Sequence, residues 1–168
     1  MYNEKVMEIF KNPKNMGEIK GANGIGQVGN MACGDIMKIY LKINEKEIIE
    51  DASFKTFGCV AAIVSSSVAC ELIKGRTIEE ALNFDNNEVI QEVGDLPVHK
   101  FHCSILAKEA IEEAIKNYRK KIEKDKKKAE QLKLKKQEEK KVVKAKVDTH
   151  KQNCNKLNNL LSKLEKKG

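Results

Sequence analysis

The sequence predicts an α+β fold: a small antiparallel β-sheet of about three strands packed with several helices, followed by a Lys-rich helical C-terminal extension. Three observations lead there. Apolar and polar residues alternate along residues 36–43 and again along 48–57, the period-two pattern of half-buried strands. Apolar residues recur at helical spacing on either side of this hairpin, in residues 2–11, 60–73 and 104–122. After Tyr118 the composition changes: residues 119–168 carry 19 basic and 7 acidic side chains, net +12, which leaves −5 on residues 1–118 of a chain whose total is +7. At 168 residues the chain is long enough for one domain with a proper core, on a prior of ~150 residues per domain. The expected division is a globular domain over residues 1–120 and a basic, helical or partly disordered extension over 121–168.

Each element has its own reason. Val6, Ile9 and Phe10, with Met7 beside them, make residues 2–11 a short amphipathic helix that stops before Asn12-Pro13. Residues 21–30 are glycine-rich and read as a loop or an irregular strand. They contain Gly24-Ile25-Gly26-Gln27-Val28-Gly29, a literal match to the dinucleotide fingerprint, but that motif needs a strand before it and a helix after it, and here a strand follows. In that strand Met37, Ile39, Leu41 and Ile43 alternate with Lys38, Tyr40 and Lys42. Asn44-Glu45 is the expected turn. The next strand, over 48–57, should place Ile48, Ala52 and Phe54 on one face and Glu47, Asp51 and Lys55 on the other. Residues 60–73 are small and apolar, the composition of a mostly buried helix, and Gly75 closes it. Thr77-Ile78-Glu79-Glu80 is a capping-box pattern that opens another short helix, and a further one is expected over 87–93. Leu96-Pro97-Val98-His99-Lys100 should be extended, because proline disfavours helix at and before itself. A long helix is expected over 104–122. In the tail, Leu157, Leu160, Leu161 and Leu164 share a face after Thr149 as a cap, which suggests a helix or helical hairpin.

The chemistry lies in cysteines that are far apart. A disulfide framework is typical of small secreted chains, whereas this one opens Met1-Tyr2-Asn3-Glu4-Lys5 with no apolar signal segment, so a reducing, cytoplasmic location is expected. Five cysteines also leave at least one unpaired. No apolar run approaches the ~18 residues of a membrane span. Cys70, inside an apolar helix, reads as a small buried hydrophobe, and Cys154 as an incidental surface thiol. Cys33, Cys59 and Cys103 differ, because each stands at an element boundary beside a glycine or a further ligand, in Cys33-Gly34-Asp35, Gly58-Cys59 and His102-Cys103. Cys59 and Cys103 stand at helix starts, where N–H groups favour the anionic sulfur that binds metal and attacks sulfur, so exposed, reactive thiolates are expected. Gly34 and Gly58 allow close backbone approach. Three thiolates with Asp35 or His102 suit tetrahedral zinc and an iron-sulfur cluster equally well. There is no Cys-x-x-Cys, so the usual zinc ribbon and the thioredoxin-type motif are both absent.

Three segments resemble a known family. Met31-Ala32-Cys33-Gly34-Asp35-Ile36-Met37-Lys38, Phe54-Lys55-Thr56-Phe57-Gly58-Cys59 with Ser65-Ser66-Ser67 after it, and Leu96-Pro97-Val98-His99-Lys100-Phe101-His102-Cys103-Ser104-Ile105-Leu106-Ala107 look like the U-type (IscU/NifU) iron-sulfur cluster assembly scaffolds, in the same order. The resemblance also takes in Glu4-Lys5-Val6 and Asn12-Pro13-Lys14-Asn15 and runs from about residue 2 to 120. It implies a helix-covered antiparallel sheet with the three cysteines converging at one end. The function it implies is cluster assembly, in which persulfide sulfur arrives from a cysteine desulfurase of the IscS/NifS type, iron joins it, and a [2Fe-2S] cluster forms and passes to apo iron-sulfur proteins. Under the resemblance Cys103 is the leading persulfide acceptor, and Cys33, Cys59 and Cys103 hold iron or cluster with Asp35 or His102 completing the set. A ferredoxin, an iron-delivery protein and an Hsp70-type chaperone are the further partners it implies. Zinc is a metal such a site also takes up on isolation.

The departures are informative. The family's chaperone segment is Leu-Pro-Pro-Val-Lys, and this chain has Leu96-Pro97-Val98-His99-Lys100, with two central positions changed. His102 and the short stretch between Cys59 and Cys103 favour this branch over the related SUF-type sulfur acceptors, so a zinc-bound sulfurtransferase that relays persulfide is the competing function. Longer NifU proteins continue into cysteine-bearing domains, whereas only Cys154 follows Tyr118 here. The extension lies outside the resemblance. It reads first as a solvated helix and, more sharply, as a contact arm for an acidic partner. Nucleic acid is disfavoured, because the extension has no aromatics to stack bases.

Overall fold

The computed structural model describes residues 2–31, 34–94 and 101–165, with side chains in the last helix described continuously from 103 to 138. The chain forms two compact units, Met1–Lys121 and Ile122–Gly168. In chain order the elements are α1 (Glu4–Lys11), β1 (Gly24–Asn30), β2 (Asp35–Ile43), β3 (Ile49–Phe57), α2 (Val60–Ile73), α3 (Ile78–Leu82), α4 (Asn86–Val93) and α5 (Phe101–Glu165). The strands form one antiparallel sheet in the order β1-β2-β3.

Local chemistry sets the boundaries. α1 begins two residues later than expected because Asn3 caps it, its side chain accepting from the Val6 N–H at 2.8 Å. The glycine-rich segment is a regular strand paired with β2 from Gly24↔Leu41 to Asn30↔Asp35. Two of its glycines answer to packing: a β-carbon on Gly26 would overlap the Ala110 carbonyl and the Ala114 backbone of α5, and one on Gly24 would come 3.0 Å from the Ala114 carbonyl. These two glycines of the literal nucleotide fingerprint are the imprint of a helix lying directly on a strand. At the β2–β3 turn the Asn44 side chain accepts from Lys46 N at 2.9 Å and Ile48 N at 3.0 Å, and Glu47 takes φ 60.

One face assignment is corrected. Ile49, 0% exposed, is the core residue at the start of β3, and Ile48 is only half-buried. The pairing passes from Lys42↔Asp51 to Ile43↔Ile49, so the register shifts by one residue on β3. That bulge lets Ile49 and Ala52 face the same side despite their odd spacing, which a strict period of two cannot anticipate. The outer edge of β3 is covered in turn: Phe54 N donates to Asn15 O at 2.9 Å and Gly17 N to Phe54 O at 2.8 Å.

Helices cover one face of the sheet. α2 buries most of its length, with Ala61, Ala62, Val64, Ala69 and Ile73 at 0%. Two of its three serines are tied by hydrogen bonds: Ser66 Oγ donates to Ala62 O at 2.6 Å, and Ser67 Oγ to Lys14 O at 2.9 Å. Gly75 at φ 78 ends that stretch as expected. Thr77 forms the capping box with Glu80, and Asp85 forms a second one with Glu88 that starts α4 one residue before the expected position.

α5 differs most from expectation. It begins at Phe101 and continues to Glu165, so Thr149 lies inside a helix and caps nothing, and no hairpin interrupts it. Its first part is core, with Leu106, Ala107, Ala110, Ile111, Ala114, Ile115 and Tyr118 all buried. Arg119 ion-pairs with Glu79 of α3. Side chains 123–138 are exposed on every face. The Leu96–Lys100 segment, expected to be extended, lies outside the described residues. No helix among the described residues is long and apolar enough to cross a membrane.

Candidate metal and cluster site

Three elements begin at one end of the sheet, and each has a donor at or near its start. Asp35 is the first residue of β2, Cys59 is the N-cap of α2 and Cys103 is the third residue of α5. The Cys59 and Cys103 sulfurs are 3.5 Å apart, and Cys103 Sγ lies 3.8 Å from Asp35 Oδ2. All three donor atoms fall within 4.8 Å of one another. The sulfurs are well beyond the ~2.05 Å of a disulfide, so both remain thiols. Two sulfurs and a carboxylate oxygen at these separations can close on a single ion with bonds of ~2.0–2.3 Å.

Gly58 makes the cluster of donors possible. A β-carbon there would come 2.9 Å from Asp35 Cγ and 3.1 Å from Ala62 Cβ, so only glycine leaves room for the carboxylate beside the head of α2. Gly34 serves the turn instead. At φ +72, with its N–H bonded to Asn30 O at 2.8 Å, it carries the chain from β1 into β2, and a β-carbon there would meet nothing within 4 Å. Among the described residues, the close approach expected at both glycines is found at Gly58.

Burial separates the two thiols. Cys103 is 0% exposed and Asp35 5%, whereas Cys59 is partly exposed. The expectation of exposed thiolates is thus corrected for Cys103. Its side chain points inward because the third residue of α5 lies on the same face as Leu106, Ala107 and Ala110, the face pressed on the sheet. Cys70 is buried in α2, and desolvation pushes its thiol well above the usual range, which keeps it neutral. Cys33, Leu96, Pro97, Val98, His99 and Lys100 lie outside the described residues, as does the His102 side chain, although the His102 backbone belongs to the first turn of α5.

The structure adds apolar residues that sequence reasoning had not selected. Ile36 (47% exposed), Phe57 (79%) and Ile105 (45%) remain in solvent beside the donors. Ile36 follows Asp35 and pairs across the sheet with Phe57, and Ile105 stands two residues after Cys103. The signal was available as strong hydrophobes next to ligands, but the alternation pattern says nothing of which face is left uncovered.

Known proteins resemble this chain over most of its length. Residues 1–125 match the NifU-like N terminal domain family. Iron-sulfur cluster assembly scaffold protein IscU 1 of Archaeoglobus fulgidus is 47% identical over 154 residues, 92% of this chain and 99% of that protein. The IscU scaffold protein of Escherichia coli (strain K12) is 46% identical over 125 residues, 73% of this chain and 97% of its own length. Among solved structures, a putative iron-sulfur cluster assembly scaffold protein for the SUF system from Fervidobacterium islandicum superposes with a TM-score of 0.56 at 27% identity, over 67% of this chain and 95% of that one. With these donors on this sheet, and with that match, the chain belongs to the NifU-like N terminal domain family.

Proposed function

We propose that this protein is a scaffold on which a labile [2Fe-2S] cluster is assembled from iron and persulfide sulfur and then handed to apo iron-sulfur proteins. The observation that carries the reading is the convergence of Asp35, Cys59 and Cys103 from three separate elements within 4.8 Å. The names of its relatives, scaffolds of cluster assembly, support the same role. Cys33 supplies a third thiolate, and Asp35 or His102 the fourth ligand. Four thiolates hold a cluster durably, while a carboxylate or imidazole in place of one is harder and exchanges more readily. A mixed set therefore suits cargo that must leave.

The sulfur donor is a cysteine desulfurase, with a ferredoxin for electrons and an iron-delivery protein for iron, all acting in the cytoplasm. Leu96-Pro97-Val98-His99-Lys100 is the segment an Hsp70-type chaperone would read to promote release. The exposed Ile36, Phe57 and Ile105 supply an apolar rim on which a partner can dock and exclude water from the transfer. The deciding experiment is anaerobic reconstitution with a cysteine desulfurase, ferrous iron and cysteine, followed by transfer to an apo-ferredoxin. Iron and acid-labile sulfide in equal amounts on the protein, then on the ferredoxin, are expected. One zinc without sulfide, and no transfer, would instead indicate the sulfurtransferase.

A further inference from the structure

Beyond residue 121 the chain carries a repeat that the scaffold reading does not use. Ile122, Ala129, Val143, Leu157 and Leu164 are separated by multiples of seven, and Leu132 and Leu160 stand three residues after Ala129 and Leu157. With heptad positions lettered so that Ile122 is an a, the first five fall at a and the other two at d. α5 runs without a break through Glu165, so the repeat lies on one continuous helix. Apolar residues at a and d are the seam of a coiled coil. On a straight helix such a stripe drifts by ~20° per heptad, and only a supercoiled pair keeps it facing one way. Leu132 is 56% exposed and the side chains from 123 to 138 are all in solvent, so over that stretch the seam is uncovered.

The charges beside the seam select what can cover it. Lys121, Lys128 and Lys135 occupy g positions and Lys126, Lys133 and Lys140 occupy e positions, while no Asp or Glu stands at any e or g from Lys121 to Lys163. Acids of the same stretch, Glu123, Glu130, Glu138 and Asp148, fall at b, c and f, away from the seam. A second copy of the chain is a poor partner in either orientation. Parallel pairing sets the g lysines against the e lysines, and antiparallel pairing sets g against g, where Lys156 and Lys163 stand at the far end. A lipid surface would have to take Lys136, Glu139 and Lys146, which stand at a and d within the stripe, into its apolar layer. In a coiled coil the same polar positions fix the register instead.

We propose that the helical extension is one strand of a coiled coil whose other strand is an acidic helix of a different protein, apolar at its own a and d positions and carrying Glu or Asp at e and g. The inference stands on the extension alone and does not depend on the scaffold reading. A partner held in this way stays on a covalent tether from the domain, which raises its local concentration without using any contact at the donor site.

The test uses the full chain and a synthetic four-heptad peptide with Ile at a, Leu at d and Glu at e and g, followed by fluorescence anisotropy and far-ultraviolet circular dichroism. Binding is expected, with a gain of helix over the sum of the separate spectra and with weakening as salt rises. Leu132→Ala with Leu160→Ala is expected to weaken it by about tenfold or more, because two seam side chains are lost while helix propensity is kept. Leu134→Ala is the control, since Leu134 is also 56% exposed but stands at f, and it is expected to leave binding unchanged. No binding of the peptide overturns the proposal. So does equal binding of a scrambled peptide of the same composition or of one with Lys at e and g, or a loss in Leu134→Ala as large as in the seam variant. A chain that sediments alone as a dimer, and as a monomer once Leu132 and Leu160 are replaced, would assign the seam to a second copy. Binding to phosphatidylserine vesicles or to a DNA duplex that needs the same two leucines would assign it to a lipid surface or to nucleic acid, and either result overturns the acidic helix.

Discussion

Asp35 is a carboxylate kept at 5% exposure beside two sulfurs, an expensive place for a group that only completes a strand. On the proposed scaffold reading a cation offsets that cost, and the hardness of the carboxylate loosens the grip on soft iron-sulfur cargo. Asp35→Ala is expected to lengthen the life of a reconstituted cluster several-fold, read as slower decay of the visible absorbance in air or with chelator. Faster loss in the variant would show that Asp35 holds the cluster instead of releasing it. Gly58 is the silent partner of this residue. Its sequence position beside Cys59 signalled close approach, but only the fold shows that the approaching group is the Asp35 carboxylate, 2.9 Å from the β-carbon that glycine lacks.

At the scale of elements, α5 and β1 decide where Cys103 sits. The two meet backbone to backbone at Gly26, which faces Ala110 and Ala114 with no room for a methyl group. Gly26→Ala must push the helix away, and overpacking of this kind costs about 1–3 kcal/mol, measurable as a lowered urea midpoint with unchanged slope. Because Cys103 lies two turns earlier on the same helix, the variant should also lose reconstituted cluster. A stable variant that retained its cluster would mean that the helix tolerates displacement. The capping boxes at Thr77 and Asp85 show the opposite case, elements whose starts are written locally. Thr77 was legible because the cap and its partner are three residues apart. The register shift in β3 was not, since it depends on which residues of β2 stand opposite.

For the whole molecule, the two units differ in kind. Met1–Lys121 has the core and all the donors seen together, while Ile122–Gly168 is basic, helical as far as Glu165, with side chains exposed over 123–138. The Escherichia coli relative is covered almost entirely by an alignment of 125 residues, and the family match ends at residue 125. A chain truncated after residue 125 is therefore expected to fold and to hold a reconstituted cluster in the same yield, with a melting temperature within a few degrees, as ~0.5 kcal/mol surface changes allow. A collapse of melting temperature or yield would show that the extension belongs to the domain. The candidate donors, the order of the elements, the capping boxes at Thr77 and Asp85 and the change of composition after Tyr118 were decided by the sequence itself, because each depends on residue identity or on neighbours within a turn or a strand. The meeting of Cys59 with Cys103 across 44 residues and of Cys103 with Asp35 across 68, and the burial that sets Cys103 apart from Cys59, were decided only by the tertiary structure. Those distances and exposures come from helices packing on a sheet, and no local pattern specifies which side of a helix start the packed neighbours will enclose.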